Sequence, residues 1–318
     1  MKFQEKYELD KYLRDLLPAA PEELYDPVRY IMAQPGKKIR FLLTLKAAEM
    51  FSDDFRSAIH AALAIEIFHN FTLIHDDIMD EADTRRNLPA VHRKWNINTG
   101  ILSGDVMMIL AYESLLKTSS HLHQQILPLF THSAREVCEG QQLDMDFEQL
   151  PVVQMAAYLE MIRKKTAVLL AASMSIGAYC GSASPEEAAL LYQYGENLGM
   201  SFQIRDDVLD CYGDVHKVGK IKAGDILQGK KTILYIRTWF SLPPGEQDEF
   251  TRLYHSQDKD KIEKVLRYFD WTEAREYASR KEQEYFDKAT EALGKISLPE
   301  ESKNIISRFT HTFLGRDH

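Results

Sequence analysis

The chain has 318 residues, 45% hydrophobic and 27% charged, a globular balance without the signature of disorder. Its formal net charge of -9 argues against a general binder of nucleic acid or of anionic membranes. A phosphorylated substrate would have to be met by bases gathered locally, or by metal ions.

The N-terminal stretch MKFQEKYELDKYLRDLL mixes acids and bases at helical spacing and has no apolar signal-peptide core. Apolar residues three and four apart predict helices over 4–17, 37–51, 54–80, 101–117, 124–147, 153–180, 185–210, 229–240, 246–254, 258–268 and 271–294. Breaks are expected at Pro18 and Pro21, Pro35-Gly36, Pro89, Pro128, Pro151, Ser184-Pro185 and Leu242-Pro243-Pro244-Gly245. Ser184 before Pro185-Glu186-Glu187 supplies a cap, a first-turn proline and acids at the positive end of the dipole. No alternating β-branched run is long enough for a sheet, and no Gly, Ser or Pro linker divides the chain. The expectation is a single all-α domain spanning 1–318. The apolar stretch Thr166 to Cys180 is too short and too rich in small residues for a membrane span, and reads as a buried core helix. Cys138, Cys180 and Cys211 are few and far apart, with neither zinc spacing nor a disulfide framework, which fits a reducing cytoplasm.

One internal echo stands out. Leu73-Ile74-His75-Asp76-Asp77-Ile78-Met79-Asp80 is matched by Gln203-Ile204-Arg205-Asp206-Asp207-Val208-Leu209-Asp210, each a DDxxD ending a long apolar helix. The first and fifth residues of DDxxD lie about 40° apart around a helix, so Asp76 shares a face with Asp80, and Asp206 with Asp210. Like charges at that spacing repel unless a cation sits between them, and Mg²⁺ takes hard oxygen ligands of this kind with phosphates completing its shell. A single such motif is matched by any solvated acidic helix face; two copies in apolar helices point to a site. Carboxylates can hold a diphosphate only through bridging cations, with Lys and Arg on the outer oxygens. Arg85-Arg86 follows the first motif, and Lys217, Lys220, Lys222, Lys230 and Lys231 follow the second. Of these lysines, Lys220 and Lys230 are the better candidates, the others reading more readily as solvated charge. His69 lies seven residues before Asp76, about 20° away on the wheel, and so faces the same side two turns down. Lys37 and Arg40, three apart, are expected to share a face. His75 and His92 have no such alignment and read as structural.

These motifs together resemble the trans-isoprenyl diphosphate synthases, the polyprenyl synthetase family that includes farnesyl and geranylgeranyl diphosphate synthases. DDIMDEADTRRNLPAVH is similar to the family's DDxxD…RRGxPTxH, with Asn87 where glycine is usual, and FQIRDDVLD to FQxxDDxLD. EGQQLDMD resembles GQxxD, and Lys165-Thr166 the KT pair. GKIKAGDILQGKKT resembles GKxxGxDIxxGKKT, with Ala223 for a glycine, and Gly36-Lys37-Lys38-Ile39-Arg40 resembles GKxxR, with Phe41 for the usual proline. The resemblance runs from Gly36 to about Thr232, with a weaker helical tail.

It implies an isoprenoid synthase bundle of ten or more helices around a central cavity, working as a cytoplasmic homodimer. Asp76 and Asp80 would bind two Mg²⁺ on one side of an allylic diphosphate and Asp206 a third on the other, Mn²⁺ being a possible substitute. Asp77, Asp207 and Asp210 would support them as inner or outer ligands. Arg85, Lys165 and Lys220 would grip the allylic diphosphate, with Lys230 nearby. Lys37, Arg40, His69 and Arg86 would hold isopentenyl diphosphate, which needs no metal. Thr166 and Gln203 would turn oxygen dipoles to the allylic carbocation, with Gln141 and Asp144 behind. The implied reaction is ionisation of the allylic C–O bond, attack by the isopentenyl double bond, and loss of a proton.

A class I terpene cyclase would carry one DDxxD and a different second metal motif, and would have no use for Lys37, Arg40 and His69. A non-catalytic regulatory subunit would be expected to have lost its aspartates, and a phosphate-handling metallohydrolase would use the same acids. Product length depends on what floors the cavity. Phe71 and Phe68 lie roughly 7.5 and 12 Å below Asp76 along an ideal helix, and a prenyl unit adds about 5 Å. Phe71 lies some 140° from Asp76 on the ideal wheel, whereas the small Thr72 sits on the Asp76 stripe. An aromatic five residues before an uninterrupted DDxxD resembles short-chain synthases, so geranylgeranyl diphosphate is the expected main product, with farnesyl diphosphate close behind.

Overall fold

The computed structural model describes residues 3–213 and 223–313, and among these the chain is helical almost throughout. Along the chain run α1 (Phe3–Leu16), α2 (Glu22–Ala33), α3 (Ile39–Glu49), α4 (Ile59–Met79), a two-strand hairpin β1 (Thr84–Arg85) and β2 (Leu88–Pro89), α5 (Val91–Lys94), α6 (Ile97–Leu116) and α7 (His123–Gln149). Then come α8 (Met155–Ile162), a π-helical turn Arg163–Ala167, α9 (Val168–Cys180), α10 (Pro185–Tyr212), α11 (Gly224–Gln228), α12 (Ile233–Ser241), α13 (Pro244–Tyr254), α14 (Lys261–Trp271), α15 (Ala274–Gly294) and α16 (Glu300–Phe313). The all-α expectation holds. The contacts fall into two compact units, Met1–Ala134 with Ala172–Tyr192 and Ile296–His318, and Arg135–Ala171 with Gln193–Lys295.

The first unit is organised on α4. Ala61 to Ile65, Ile67 and Phe68 are almost fully buried, and a helix apolar on all sides belongs in a core. Its closest neighbour, α6, presents small residues to it. A Cβ added at Gly104 would fall 2.2 Å from the Nε2 of His75, so only glycine admits this approach. The outward face of α6 leaves Ile97, Ile101, Leu102, Ile109 and Leu116 exposed. Phe55–Met79 and Ile97–Leu116 are each long and apolar enough to cross a membrane by length and composition, with 72% and 44% of their apolar windows buried inside the protein.

The second unit has its own core, in which Tyr158, Ile204, Ile233, Tyr235, Phe250, Tyr254 and Phe269 are buried together. Tyr235 stacks on Phe250 at 5.2 Å between ring centroids.

Several elements depart from the sequence expectation. Helix α2 forms despite Pro27, because Pro27, Val28, Ile31 and Met32 bury one side of it. Pro128, expected as a break, lies inside α7. Helix α3 starts at Ile39 rather than Lys37, with Lys38 left-handed at its N-cap (φ 48°). The 153–180 segment is one helical run interrupted by the π turn that carries Lys165-Thr166, a local widening common at functional sites. At Ser184 the expected helix start is a reciprocal capping box: Glu187 N–H donates to Ser184 Oγ at 3.2 Å and Ser184 N–H to Glu187 Oε2 at 2.9 Å.

Candidate active site

In the first unit, α4 delivers the first aspartate motif at its C-terminal end. Asp76 is half-buried and Asp80 exposed, whereas Asp77 is only 1% exposed. Burial raises the Asp77 pKa, and Arg85 opposes that rise. Arg85 donates from Nε (2.9 Å) and Nη2 (2.5 Å) to Asp77 Oδ1, and stands 3.7 Å from Asp76 Oδ2. Asp77 Oδ2 is buried without a hydrogen-bond partner. Arg85 is delivered by the hairpin, where it pairs with Leu88 and Thr84 pairs with Pro89. The two residues between the strands, Arg86 (φ 55°) and Asn87 (φ 62°), are both left-handed, the signature of a type I′ turn. Asparagine tolerates that region better than most residues, so it can replace the family's glycine. The turn places Arg86 over Gly36, where an added Cβ would lie 3.2 Å from the guanidinium carbon.

Beside Arg86 is a polar pocket inside the first unit. Arg40 Nη1 lies 3.0 Å from His69 Nε2, a bond that requires the ring nitrogen to accept. Burial, and then Arg40, hold the His69 pKa well below its usual value, so the ring is neutral and suits that role. Lys38 Nζ donates to Met32 O at 3.0 Å and stands 3.5 Å from Glu66 Oε1, a carboxylate 1% exposed that also accepts from Asn70 at 3.1 Å. Burial lowers the Lys38 pKa, and Glu66 opposes the fall. Arg40 Nε, Arg86 Nη1 and both amide atoms of Gln34 are buried without hydrogen-bond partners. Unpartnered donors at this density are costly unless a ligand meets them, and the donors here are those an anion takes.

In the second unit, one cavity of about 220 Å³ gathers the second motif. Asp206, Asp207, Asp210 and Asp225 line it together with Asp144, Lys165, Thr166, Gln203, Lys230 and Lys231. Lys165 Nζ is 2.5 Å from Asp144 Oδ2. An added Cβ at Gly140 would lie 2.3 Å from Lys165 N, so glycine is what lets α7 approach the π turn. Thr166 Oγ1 donates to Gln203 Oε1 at 2.9 Å, and Gln203 Nε2 to Asp207 Oδ1 at 3.0 Å. The other oxygen of Asp207 accepts from Tyr158 OH at 2.5 Å. Asp207 is 4% exposed, and burial, then Asp225, push its pKa up to about 7. Asp210 Oδ2 accepts from the backbone N–H of Asp225 at 2.9 Å, capping the start of α11. Lys231 reaches the carbonyl of Glu148 at 3.3 Å, a structural role, and the carbonyl of Lys230 accepts from Tyr254 at 2.7 Å.

The donor set fits a hard divalent cation. It is all carboxylate oxygen, and among the described residues no three His, Cys, Asp or Glu groups close on one point. Such a set suits Mg²⁺, which takes one or two carboxylates and completes its shell with water and phosphate, rather than zinc.

Of the four residues expected to hold one diphosphate, Arg40, His69 and Arg86 come together. Lys37 does not share their helix face: it is exposed and precedes the helix start, and Lys38 turns inward in its place. Lys220, with Lys217 and Lys222, lies outside the described residues. Phe71 is 8% exposed and contacts Phe68 (5.5 Å) and His75 (4.8 Å), while Phe68 is fully buried against Phe130 (5.4 Å). Thr72 is half-buried, with its hydroxyl on the carbonyl of His69. Sequence reasoning missed Lys38, Glu66, Tyr158 and Asp225. Glu66 was within reach of it, lying three residues before His69 and ten before Asp76 on the same helix.

A sequence profile of the polyprenyl synthetase family matches residues 21–270. A geranylgeranyl diphosphate synthase of Methanosarcina mazei is 43% identical over 234 residues, 73% of this chain and 72% of its own length. A geranylgeranyl pyrophosphate synthase of Geoglobus acetivorans is 38% identical over 301 residues, 94% of this chain and 92% of its own. The crystal structure of a geranylgeranyl pyrophosphate synthetase from Pyrococcus horikoshii superposes with a TM-score of 0.92 at 31% identity, covering 99% of this chain and 97% of that one.

The hairpin turn makes a direct test of local geometry. Asn87→Val puts a β-branched residue where φ is positive and should cost about 1–2 kcal/mol of stability, read by chemical denaturation. Asn87→Gly should leave stability within about 0.5 kcal/mol of the parent.

Proposed function

Because the chain belongs to the polyprenyl synthetase family and is a prenyltransferase, we propose that it condenses isopentenyl diphosphate with allylic diphosphates to give mainly geranylgeranyl diphosphate, with farnesyl diphosphate close behind. The observation that carries this reading is the cavity in which Asp206, Asp210 and Asp225 stand with Lys165, Thr166, Gln203 and Lys230. Acids and bases that line one cavity suit a diphosphate neutralised jointly by cations and lysines. Relatives named geranylgeranyl diphosphate synthase, and a geranylfarnesyl diphosphate synthase of Natronomonas pharaonis 39% identical over 232 residues, support the product class. The proposed catalytic unit is the whole chain, 1–318, acting as one domain in the cytoplasm.

Mg²⁺ is the family's usual metal, and bound Mg²⁺ supplies positive charge that makes the diphosphate a better leaving group. Three ions per site are proposed, held by Asp76, Asp77 and Asp80 in one motif and by Asp206 and Asp210 in the other. Arg85, oriented by Asp77, and Lys165, oriented by Asp144, are proposed to grip the allylic diphosphate, a role the resemblance extends to Lys220 and Lys230. Arg40 and Arg86 take isopentenyl diphosphate, with His69 keeping the Arg40 guanidinium in place; for Lys37 the same role rests on the resemblance alone. Thr166 and Gln203 present oxygens to the positive charge that develops as the C–O bond breaks. The attacking double bond is held close by its own basic pocket, and the departing diphosphate takes the proton released at the end.

Incubation with labelled isopentenyl diphosphate, with and without an allylic primer, tests the reading. Product should require both the primer and a divalent metal, and exhaustive chelation should abolish it. Asp76→Ala and Asp206→Ala should each lower kcat about 100-fold or more, the scale of removing one strong electrostatic stabiliser. Full activity in either variant would remove that residue from the site. Product length is proposed to be set by Phe71, with Phe68 and Phe130 behind it. Phe71→Ala should lengthen the product by at least one unit and Thr72→Phe should shorten it, read by chromatography; unchanged lengths in both would move the floor elsewhere. The exposed apolar face of α6 is proposed to cover itself against a second copy. Ile109→Asp should then convert a dimer to a monomer in sedimentation, and a wild-type chain that sediments as a monomer would refute the dimer.

A further inference from the structure

Gln203 has an amide that can point either way, and the reaction proposed above is sensitive to which way it points. With Oε1 toward the cavity the amide offers the negative end of its dipole to a developing cation; flipped, it offers an N–H₂ and the positive end. Thr166 alone does not decide the matter, since a hydroxyl can donate or accept. The decision is made behind Gln203. Asp207 Oδ1 accepts from Gln203 Nε2 at 3.0 Å, so the N–H₂ faces the carboxyl group. The carboxylate plane is in turn set by its second bond, from Tyr158 OH to Oδ2 at 2.5 Å. The phenol is the donor in that bond and its proton goes to Asp207. Tyr158 is 1% exposed and Asp207 4%, so no water competes with this arrangement.

We propose that Tyr158 is a positioning residue for prenyl transfer: through Asp207 it locks the Gln203 amide with its carbonyl oxygen toward the reacting carbon. This rests on the prenyltransfer reading of the same cavity. Tyr158 borders the cavity at 1% exposure and is proposed to act on Gln203 only through Asp207. Its hydroxyl matters because a carboxylate held by one donor alone can rotate about its Cβ–Cγ bond, and Gln203 then loses the acceptor that holds its orientation. The run Tyr158–Asp207–Gln203–Thr166 links α8, α10 and the π turn in one line of hydrogen bonds.

The test is a double-mutant cycle in the full-length enzyme with Mg²⁺, isopentenyl diphosphate and an allylic diphosphate. Tyr158→Phe should lower kcat about 10- to 100-fold while both KM values move less than about 3-fold. In the Gln203→Ala background the same change should cost less than about 2-fold more, because residues acting as one unit are not additive. Additive losses, or a loss confined to KM, overturn the proposal. A second pair of variants guards against a Tyr158→Phe chain that fails to fold. Asp207→Asn keeps an acceptor for Gln203 and should retain at least ten times the kcat of Asp207→Leu, which has none. Equal losses in the two mean that the charge matters and not the orientation, and overturn it as well. A wild-type chain that forms no prenyl diphosphate overturns both the reading and the proposal; an active wild type with additive losses overturns the proposal alone.

Discussion

A carboxylate inside a dry helical core must be matched by donors, and each DDxxD motif puts one there: Asp77 is 1% exposed and Asp207 4%. Arg85 answers the first, and Tyr158 with Gln203 answers the second. Successive residues of a helix lie about 100° apart, so turning the second aspartate inward fixes where the first and fifth emerge. The outward carboxylates are therefore aimed by the inward ones. The donors recruited to satisfy the buried charge are themselves among the proposed site residues. Arg85 is held beside Asp76, and Gln203 is held against Thr166. What stabilises the buried acid also builds the first layer of each site.

Among the described residues seven other than glycine have positive φ, and four of them bear on the two sites. Lys38, Arg86, Asn87 and Ala223 are all left-handed, at φ 48°, 55°, 62° and 57°. For residues with a side chain that conformation costs about 1–2 kcal/mol each. Each has a visible counterweight. Lys38 reaches Glu66, and the turn at Arg86-Asn87 closes the hairpin that carries Arg85. Ala223 donates its N–H to the carbonyl of Asp210, and its methyl is fully buried. Two of these positions, Asn87 and Ala223, are the ones where this chain departs from the family's glycines.

Much of this was legible in the sequence because it is local. Helical periodicity, the Ser184 cap and the two acidic motifs depend on residues within one or two turns of each other. The resemblance groups His69 with Arg40, and Thr166 with Gln203, in common sites, and the members of each pair lie 3.0 Å and 2.9 Å apart. What escaped is set by distant partners. The start of α3 is decided by Glu66 on another helix, so the expectation that Lys37 shares a face with Arg40 failed where Lys38 turned inward. The hairpin escaped because its strands are two residues each, and its turn reads Arg-Asn rather than the usual Asn-Gly. Helix α2 escaped because Pro27 signals a break that burial of one face overrides. Tyr158 looked like one more apolar residue in a core helix, since its partner lies 49 residues on.

The two units meet anions by different means, and the chain's charge makes sense in that light. In the pocket of the first unit, Lys38, Arg40 and Arg86 share one buried carboxylate, Glu66. His69 adds an acceptor rather than a charge, because a protonated ring could not take the bond from Arg40. Three cations against one acid leave that pocket positive, with several donors buried and unpartnered, so a diphosphate can bind there to side chains alone. In the second unit, the cavity that holds Lys165, Lys230 and Lys231 also holds Asp144, Asp206, Asp207, Asp210 and Asp225. Carboxylates outnumber lysines among these residues, so a diphosphate there requires additional positive charge. On the proposed reading, a chain with net charge -9 serves two anionic substrates, one through its own bases and the other through metal that its acids would hold. The division also suits the proposed chemistry. Ionisation is wanted at the allylic diphosphate, where added cations draw electrons from the C–O bond, and is unwanted at isopentenyl diphosphate, which has to keep its own diphosphate.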